Sequence, residues 1–114
     1  MPFIDVKTSA KLTEEKIEQI KTELGSTIAL IPGKSEAWLM VNIEDSCNLY
    51  FKGNQDGETA YVEVSILGET SKDNCEKITV DICRILETYA GVPSDRTYVK
   101  FEFSDMWGYN NFMF

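Results

Sequence analysis

The sequence predicts an α/β (α+β) fold that consists of two repeated βαβ units. Three observations support this prediction: each half of the chain contains one amphipathic helix, apolar strands flank each helix, and Gly and Pro residues end each helix. The two units span roughly residues 2–43 and 59–103. Because a βαβ connection pairs its two strands in parallel, we expect a four-stranded mixed sheet with both helices on one face, together with short edge strands.

The first unit begins with a short apolar strand at residues 2–6. Thr13 then provides an N-cap, and two glutamates follow it, where acidic residues stabilise a helix start. The helix is predicted over residues 13–31, with apolar residues at steps of three and four on one face: Ile17, Ile20, Leu24, Ile28 and Ile31. A Pro-Gly pair stops this helix, and residues 37–43 then predict a largely buried strand.

The second unit is preceded by a short strand at residues 49–51 and a polar loop that contains two glycines. Residues 59–67 alternate in polarity and are rich in β-branched side chains, as is typical of a strand. Ser71 caps a second helix whose apolar residues also share one face: Cys75, Ile78, Ile82, Ile85 and Tyr89. That helix stops at a Gly/Pro segment, and residues 97–103 predict a further strand.

The length and charge of the chain narrow the function classes. At 114 residues the chain is most simply one domain, residues 1–114, small enough that apolar surface remains for a partner to cover. A net charge of -8 argues against a nucleic-acid partner, because such proteins present clustered Lys and Arg to the phosphates. We expect no membrane partner and a protein that is cytoplasmic, or secreted without a signal peptide, since neither a membrane span nor a signal peptide is recognisable.

The cysteine and histidine content limits the chemistry. Cys47, Cys75 and Cys83 are odd in number and form no CxxC pair, so neither a disulfide framework nor a zinc site is indicated, and we interpret them as buried small hydrophobic residues. The chain has no histidine, which removes the usual general base and the commonest metal ligand. Any proton transfer must therefore use another group, and we expect no metal.

The sheet face that the helices leave open predicts association between copies of the chain. Trp38, Met40 and Phe101 lie on predicted strands that have few polar residues to present there. A large uncovered apolar face is unfavourable in water, so we expect several subunits to build a shared core through their sheets.

Several short segments, in order along the chain, carry a family resemblance. They are MPFI at the N-terminus, the Gly33-Lys34 pair after the first helix, FKGNQDG from Phe51, VPSDRTY from Val92 and GYNNFMF at the C-terminus. By their order and spacing, the chain resembles the macrophage migration inhibitory factor (MIF) family of the tautomerase superfamily. The resemblance implies the tautomerase fold with two βαβ repeats, and a homotrimer with sites at the subunit interfaces.

The resemblance also gives Pro2 a function. Proline as the second residue permits removal of Met1, which leaves a secondary amine at the start of the first strand. Burial and nearby cations lower the pKa of such an amine, so that it accepts a proton near neutral pH. In the family, the corresponding proline is the general base and acid of a cofactor-free keto–enol tautomerase that acts on phenylpyruvate- or dopachrome-like compounds. The implied substrate is a small α-keto acid or an aromatic enol.

Lys34 and Leu67 are the substrate-binding candidates implied next to Pro2. Lys34 matches the lysine of the family's Gly-Lys pair and would bind the negative charge of a substrate oxygen or carboxylate. From spacing alone, Lys34 is more simply a solvated lysine after a helix end. Leu67 aligns with an aliphatic residue whose backbone N–H lies near the substrate, and is otherwise an ordinary core residue at a strand end.

Aromatic residues complete the implied site. Tyr98 aligns with a tyrosine that reaches into the pocket of the neighbouring subunit, and Trp38, Trp107, Tyr109 and Phe114 would supply the walls. All five side chains are also compatible with plain core or interface packing, which is the commoner role of an aromatic residue.

Lys100 is the remaining candidate. Strand alternation puts it on the same face as Tyr98. In the pocket it would be a second cation, which would lower the pKa of the Pro2 amine further and favour an anionic substrate. If it points away, it is a surface residue.

A second hypothesis is that the chain keeps the trimeric scaffold as a MIF-like cytokine or binding protein with a vestigial pocket. The processing of Met1 discriminates between the two hypotheses. A retained Met1 acylates the nitrogen of Pro2 and abolishes its basicity.

Overall fold

The structure, a computed structural model, describes residues 1–114. Four strands form one sheet in the order β2-β1-β3-β4, and the two last strands form a separate hairpin. The elements are β1 (Pro2–Thr8), α1 (Glu14–Thr27), β2 (Met40–Glu44), β3 (Ala60–Leu67), α2 (Lys72–Ala90), β4 (Thr97–Ser104), β5 (Gly108–Tyr109) and β6 (Phe112–Met113). Since β1 is parallel to β2, β3 parallel to β4, and β1 antiparallel to β3, the predicted mixed sheet of two βαβ units is confirmed.

Side-chain caps start both helices where the sequence predicts them. The Thr13 hydroxyl accepts the backbone N–H of Lys16 at 3.2 Å, and the Ser71 hydroxyl accepts that of Asn74 at 3.1 Å. Helix α2 ends at Gly91, whose φ of 67° lies in the left-handed region that glycine adopts without strain. Neither helix is long and apolar enough to cross a lipid bilayer.

Helix α1 ends earlier than predicted. It stops at Thr27 instead of residue 31, and a 3-10 turn at Ile28–Leu30 follows it. Ile31 is already extended, with φ -89° and ψ 120°, because the residue before a proline is disfavoured in the α region. Ile28 and Ile31 are nevertheless buried, as their spacing predicts.

The core lies between the helices and one face of the sheet. Alternate residues of β1 and β3 are fully buried there together with the inner faces of the helices, among them Ile4, Val6, Val62, Val64, Ile66, Ile20, Leu24, Ile78, Ile82 and Ile85. The prediction that the cysteines are buried is wrong, because Cys47, Cys75 and Cys83 are only half-buried. Cys75 and Cys83 flank the buried stripe of α2, and Cys47 lies in the turn after β2.

Two predicted strands differ from the observed ones. The strand predicted at residues 37–43 begins only at Met40, because Glu36–Trp38 form a 3-10 turn, and Trp38 is therefore on that turn instead of a strand. The segment 49–51 forms no strand. Its only ladder contact is an isolated bridge between Phe51 and Asn54, because the polar loop folds back on itself instead of along the sheet.

The open face of the sheet is mainly polar, which corrects the prediction of an apolar one. Met40 does lie on this face as predicted, opposite Phe3. Phe101 points to the helices and packs against the core, because the register pairs it with the buried Val64. The open face instead carries mainly charged and amide side chains: Asp5, Lys7, Asn42, Glu44, Glu63, Lys100 and Glu102. Many of the large exposed apolar residues lie at Trp38, Met40 and the C-terminal segment.

A hydrogen bond to Asp45, in the turn after β2, should make the free energy of unfolding fall in acid. The backbone N–H of Leu12 donates to Asp45 Oδ2 at 2.9 Å, and this bond, with the Ser46 hydroxyl, lowers the pKa of Asp45. A carboxyl with a lowered folded pKa stabilises the protein above its unfolded pKa of about 3.9, and the effect is lost as the pH falls through the folded pKa. We expect urea unfolding of Asp45→Asn to show a weaker dependence on pH below about 4 than the parent, and Ser46→Ala to show a smaller change.

Candidate active site

The predicted residue Pro2 lies at a cavity of about 350 Å³. The cavity is mostly apolar, and its wall combines the N-terminus, the Glu36–Trp38 turn, the start of β2 and the C-terminal hairpin. Its lining includes Met1, Pro2, Phe3, Trp38, Met40, Trp107 and Tyr109. A larger groove of about 650 Å³ lies on the outer side of α1 and α2, but charged residues dominate its lining and no predicted site residue reaches it.

Pro2 opens β1 and is itself buried. A proline has no N–H to donate to a ladder, and the first residue of a strand is one of the few positions in a sheet that tolerate it. The register places Pro2 opposite Ile66, one residue before the end of β3. The N-terminus is therefore fixed beside the backbone of Leu67.

Leu67 and Lys34 meet at this N-terminus. The backbone N–H of Leu67 donates to the carbonyl oxygen of Met1 at 3.1 Å, and Lys34 Nζ donates to the carbonyl oxygen of Leu67 at 2.9 Å. Burial lowers the pKa of the Met1 amine, and the nearby charge of Lys34 lowers it further. A backbone donor and a cation thus lie next to an amine whose protonated form is disfavoured.

A tight turn places Lys34 next to the N-terminus. The backbone N–H of Lys34 donates to the carbonyl oxygen of Ile31 at 3.0 Å, and Gly33 between them has a φ of 82°. A type II turn requires this left-handed conformation, with proline favoured one residue earlier, as Pro32 is here. Lys34 is half-buried and hydrogen-bonded, so the alternative of a freely solvated lysine after a helix end does not describe it.

The aromatic wall is built from two separate parts of the chain. Trp38 from the 3-10 turn and Tyr109 from β5 contact each other edge to face, with ring centroids 5.4 Å apart and planes at 88°. Trp107 also lines the cavity, and its carbonyl oxygen accepts the N–H of Phe114 at 2.9 Å. These side chains form an apolar wall of the cavity at which Pro2 lies, as a small organic ligand requires. Lys34 and Leu67 do not line the cavity and lie beside it, at Met1.

Comparison with known proteins identifies the family. The family model described as macrophage migration inhibitory factor (MIF) matches residues 1–110.

The chain belongs to the MIF family. A MIF2 protein from Leishmania major has a solved structure that is 26% identical, with a TM-score of 0.91 over 100% of this chain and 97% of that one. The MIF of Toxoplasma gondii superposes with a TM-score of 0.90 at 20% identity, covering 98% of this chain and 99% of that one. A protein solved after inactivation by 2-oxo-3-pentynoate gives a TM-score of 0.83 at 12% identity over 96% and 93%. A search of curated proteins found no match.

Five predicted site residues of this MIF-family chain do not line the Pro2 cavity. Lys34 and Leu67 lie next to it, at the N-terminus, whereas Tyr98, Lys100 and Phe114 lie elsewhere. Tyr98 and Lys100 are both on β4 and share the open sheet face, as strand alternation predicts. Lys100 pairs with Glu102 at 2.7 Å, and that hydrogen bond raises its pKa, so within one chain it is no second cation for Pro2. Phe114 packs on Phe112 beside the hairpin, with ring centroids 5.0 Å apart.

Arg96 and Phe51 support Tyr98 but were not predicted as site residues. The guanidinium of Arg96 lies 5.5 Å from the ring centroid of Phe51, and Phe51 in turn meets Tyr98 edge to face at 5.4 Å. Arg96 also donates to Thr59 Oγ1 at 2.9 Å and to two oxygens of Asn54 at 3.1 Å each. The position of Arg96 inside the VPSDRTY segment, two residues before Tyr98, was the available signal.

No group of three or more His, Cys, Asp or Glu side chains is arranged to hold a metal ion. The groups that the site offers are a partly buried amine, a cation, a backbone donor and an aromatic wall. These groups are suited to moving a proton next to a carbonyl while binding an anionic oxygen.

Proposed function

We propose that this MIF-family chain is a cofactor-free keto–enol tautomerase that uses Pro2 as general base and acid after removal of Met1. The observation that carries the proposal is the position of the N-terminus, where the Leu67 N–H and the Lys34 ammonium converge on the residue that precedes Pro2. Removal of Met1 frees the Leu67 N–H and leaves the amine of Pro2 at the cavity. We expect the same two causes, burial and the charge of Lys34, to lower the pKa of that amine.

The proposed reaction is a balanced isomerisation. The neutral amine of Pro2 takes a proton from the carbon next to the carbonyl of the substrate, the electrons of that bond form a C=C bond, and the carbonyl becomes an enolate oxygen. The protonated amine of Pro2 then gives a proton to this oxygen, which forms the enol and restores the neutral amine, so nothing is oxidised or reduced. Lys34 and the Leu67 N–H stabilise the negative charge on the enolate oxygen or on a substrate carboxylate.

The proposed substrate is a small α-keto acid or an aromatic enol. The aromatic wall of Trp38, Trp107 and Tyr109 fits a flat ring, while Lys34 suits a carboxylate. A protein of the same fold was solved after inactivation by 2-oxo-3-pentynoate, which is itself an α-keto acid. We further propose that the chain acts in the cytoplasm.

We also propose that three copies assemble, so that Tyr98 and Lys100 of a neighbouring copy complete each pocket. Two observations support this arrangement. Tyr98 is 63% exposed and lies away from the cavity of its own chain, and the C-terminal segment leaves large apolar side chains in water: Met106, Phe112, Met113 and Phe114. Light scattering on the purified protein should give three times the chain mass, and a stable monomer would contradict the assembly.

A phenylpyruvate tautomerase assay on protein without Met1 tests the activity. Lys34→Ala should raise KM about 10–100-fold, because a hydrogen bond to a charged group contributes about 1.5–3 kcal/mol. Lys72→Ala, which removes an exposed lysine at the start of α2, is the matched control and should leave KM unchanged. Equal KM values for both variants would remove Lys34 from the site.

The second candidate is a binding protein with a vestigial pocket, which follows if Met1 is retained. A retained Met1 occupies the Leu67 N–H and turns the Pro2 nitrogen into an amide. Protein that lacks Met1, forms the trimer and still shows no tautomerase activity would support this candidate over the enzyme.

A further inference from the structure

Gly25 is a buried glycine inside α1, and the side chain of Glu36 lies across it. A Cβ added at residue 25 would overlap with the carboxylate of Glu36, at 2.5 Å from its Cδ and 3.1 Å from its Cγ. Gly25 is not among the residues with positive φ, so the backbone conformation does not require glycine here. Glycine is unfavourable inside a helix, and here the exposed side chain of Glu36 occupies the space that a larger residue at position 25 would fill.

Glu36 begins the 3-10 turn that stands between Lys34 and β2. The carbonyl oxygen of Glu36 accepts the N–H of Leu39 at 3.1 Å, and Leu39 packs against the core. The turn is therefore held at its end by Leu39 and at its start by the contact of Glu36 with Gly25. Glu36 makes no ion pair within 4.0 Å. Its contact with Gly25 is therefore one of van der Waals packing and does not depend on charge.

We propose that Glu36 is a positioning residue whose side chain, seated on Gly25, fixes the turn that holds Lys34 at the N-terminus and Trp38 in the wall of the cavity. Lys34 lies two residues before Glu36 and Trp38 two residues after it. A shift of the turn therefore moves the cation and the aromatic wall together. The effect on catalysis rests on the proposed function, whereas the seating of Glu36 on Gly25 does not.

A double-mutant cycle on thermal unfolding tests the seating. Measured at one protein concentration with Glu36→Ala as background, Gly25→Ala should raise Tm by about 4–8 °C, because alanine favours the helix and nothing obstructs it. In the parent the same substitution should give less than half of that rise, since the new methyl displaces Glu36. Ser26→Ala, at an exposed helix position, should shift Tm equally in both backgrounds. Equal shifts for Gly25→Ala in the two backgrounds would overturn the proposal.

Fluorescence tests the effect on the turn without any activity. In a Trp107→Phe background Trp38 is the only tryptophan left of two, so acrylamide quenching reports on its environment alone. Gly25→Ala should change the quenching constant, and Ser26→Ala should not. Unchanged quenching in both variants would show that the turn is held without Glu36 and would overturn the positioning role.

Kinetics connect the turn to the proposed reaction. Gly25→Ala and Glu36→Ala should each raise KM for phenylpyruvate about three- to tenfold, because substrate binding through Lys34 weakens. Glu36→Gln keeps the shape of the side chain and should restore the parent KM. If Glu36→Gln is as impaired as Glu36→Ala, the shape-based role is wrong. If the parent is inactive, the proposed function fails, while the unfolding cycle and the quenching still decide the positioning role.

Discussion

Protein without Met1 that carries Pro2→Gly should lose tautomerase activity by about 10²–10⁴-fold in kcat, the usual contribution of a general acid–base. Glycine leaves a primary amine that the ring no longer holds, so the base is neither positioned nor buried as the proline is. The fold should be unaffected, because Pro2 donates no hydrogen bond to the sheet. Initial rates on phenylpyruvate, with circular dichroism of both proteins, measure the two effects, and an unchanged kcat would exclude Pro2 as the base.

The pH profile of the parent provides a separate check on the base. Because the neutral amine is the active form, kcat/KM should rise with pH and level off above the pKa of Pro2. Burial and the charge of Lys34 lower the pKa of the neighbouring Met1 amine, and we expect the midpoint for Pro2 below about 8, the ordinary α-amino value. Lys34→Ala should move that midpoint upward, since one of the two causes is removed.

Protein that retains Met1 should show no tautomerase activity above background. Two physical reasons combine: the nitrogen of Pro2 becomes an amide without basicity, and the carbonyl oxygen of Met1 occupies the Leu67 N–H at 3.1 Å. Expression with the host methionine aminopeptidase inhibited gives this form, and intact mass measures the retained fraction. Treatment with the aminopeptidase in vitro should restore activity in proportion to the methionine released. Full activity before treatment would contradict the role of the free amine.

The elements that the sequence predicted correctly are those with a regular apolar period. Both helices repeat at steps of three and four residues, and their caps at Thr13 and Ser71 fix where they begin. The prediction of a single strand at residues 37–43 was wrong, because an unbroken apolar run does not reveal where a 3-10 turn ends and a strand starts. The polar open face was missed for a related reason: Phe101 was assigned to the wrong side, and only the register with β3 decides its side.

The candidate site was predictable only in part. The resemblance located Pro2, Lys34, Leu67, Trp38, Trp107 and Tyr109, which the structure brings to one end of the sheet. Their roles stay predictions, as do the roles of Tyr98, Lys100 and Phe114 and the assignment of residues 1–114 to one domain. The contact of Glu36 with Gly25 joins two different elements, and Arg96 contacts Asn54 in a distant loop. No local pattern in the sequence predicts such contacts.

Leu67 contributes its two backbone groups and not its side chain to the polar part of the site. A main-chain donor survives every substitution except proline, which alone lacks the N–H. The side chain at residue 67 is therefore free to vary while the donor stays in place. Relatives can therefore carry different residues at this position and keep the same backbone donor. Sequence identity at residue 67 does not measure the contribution of this position to the site.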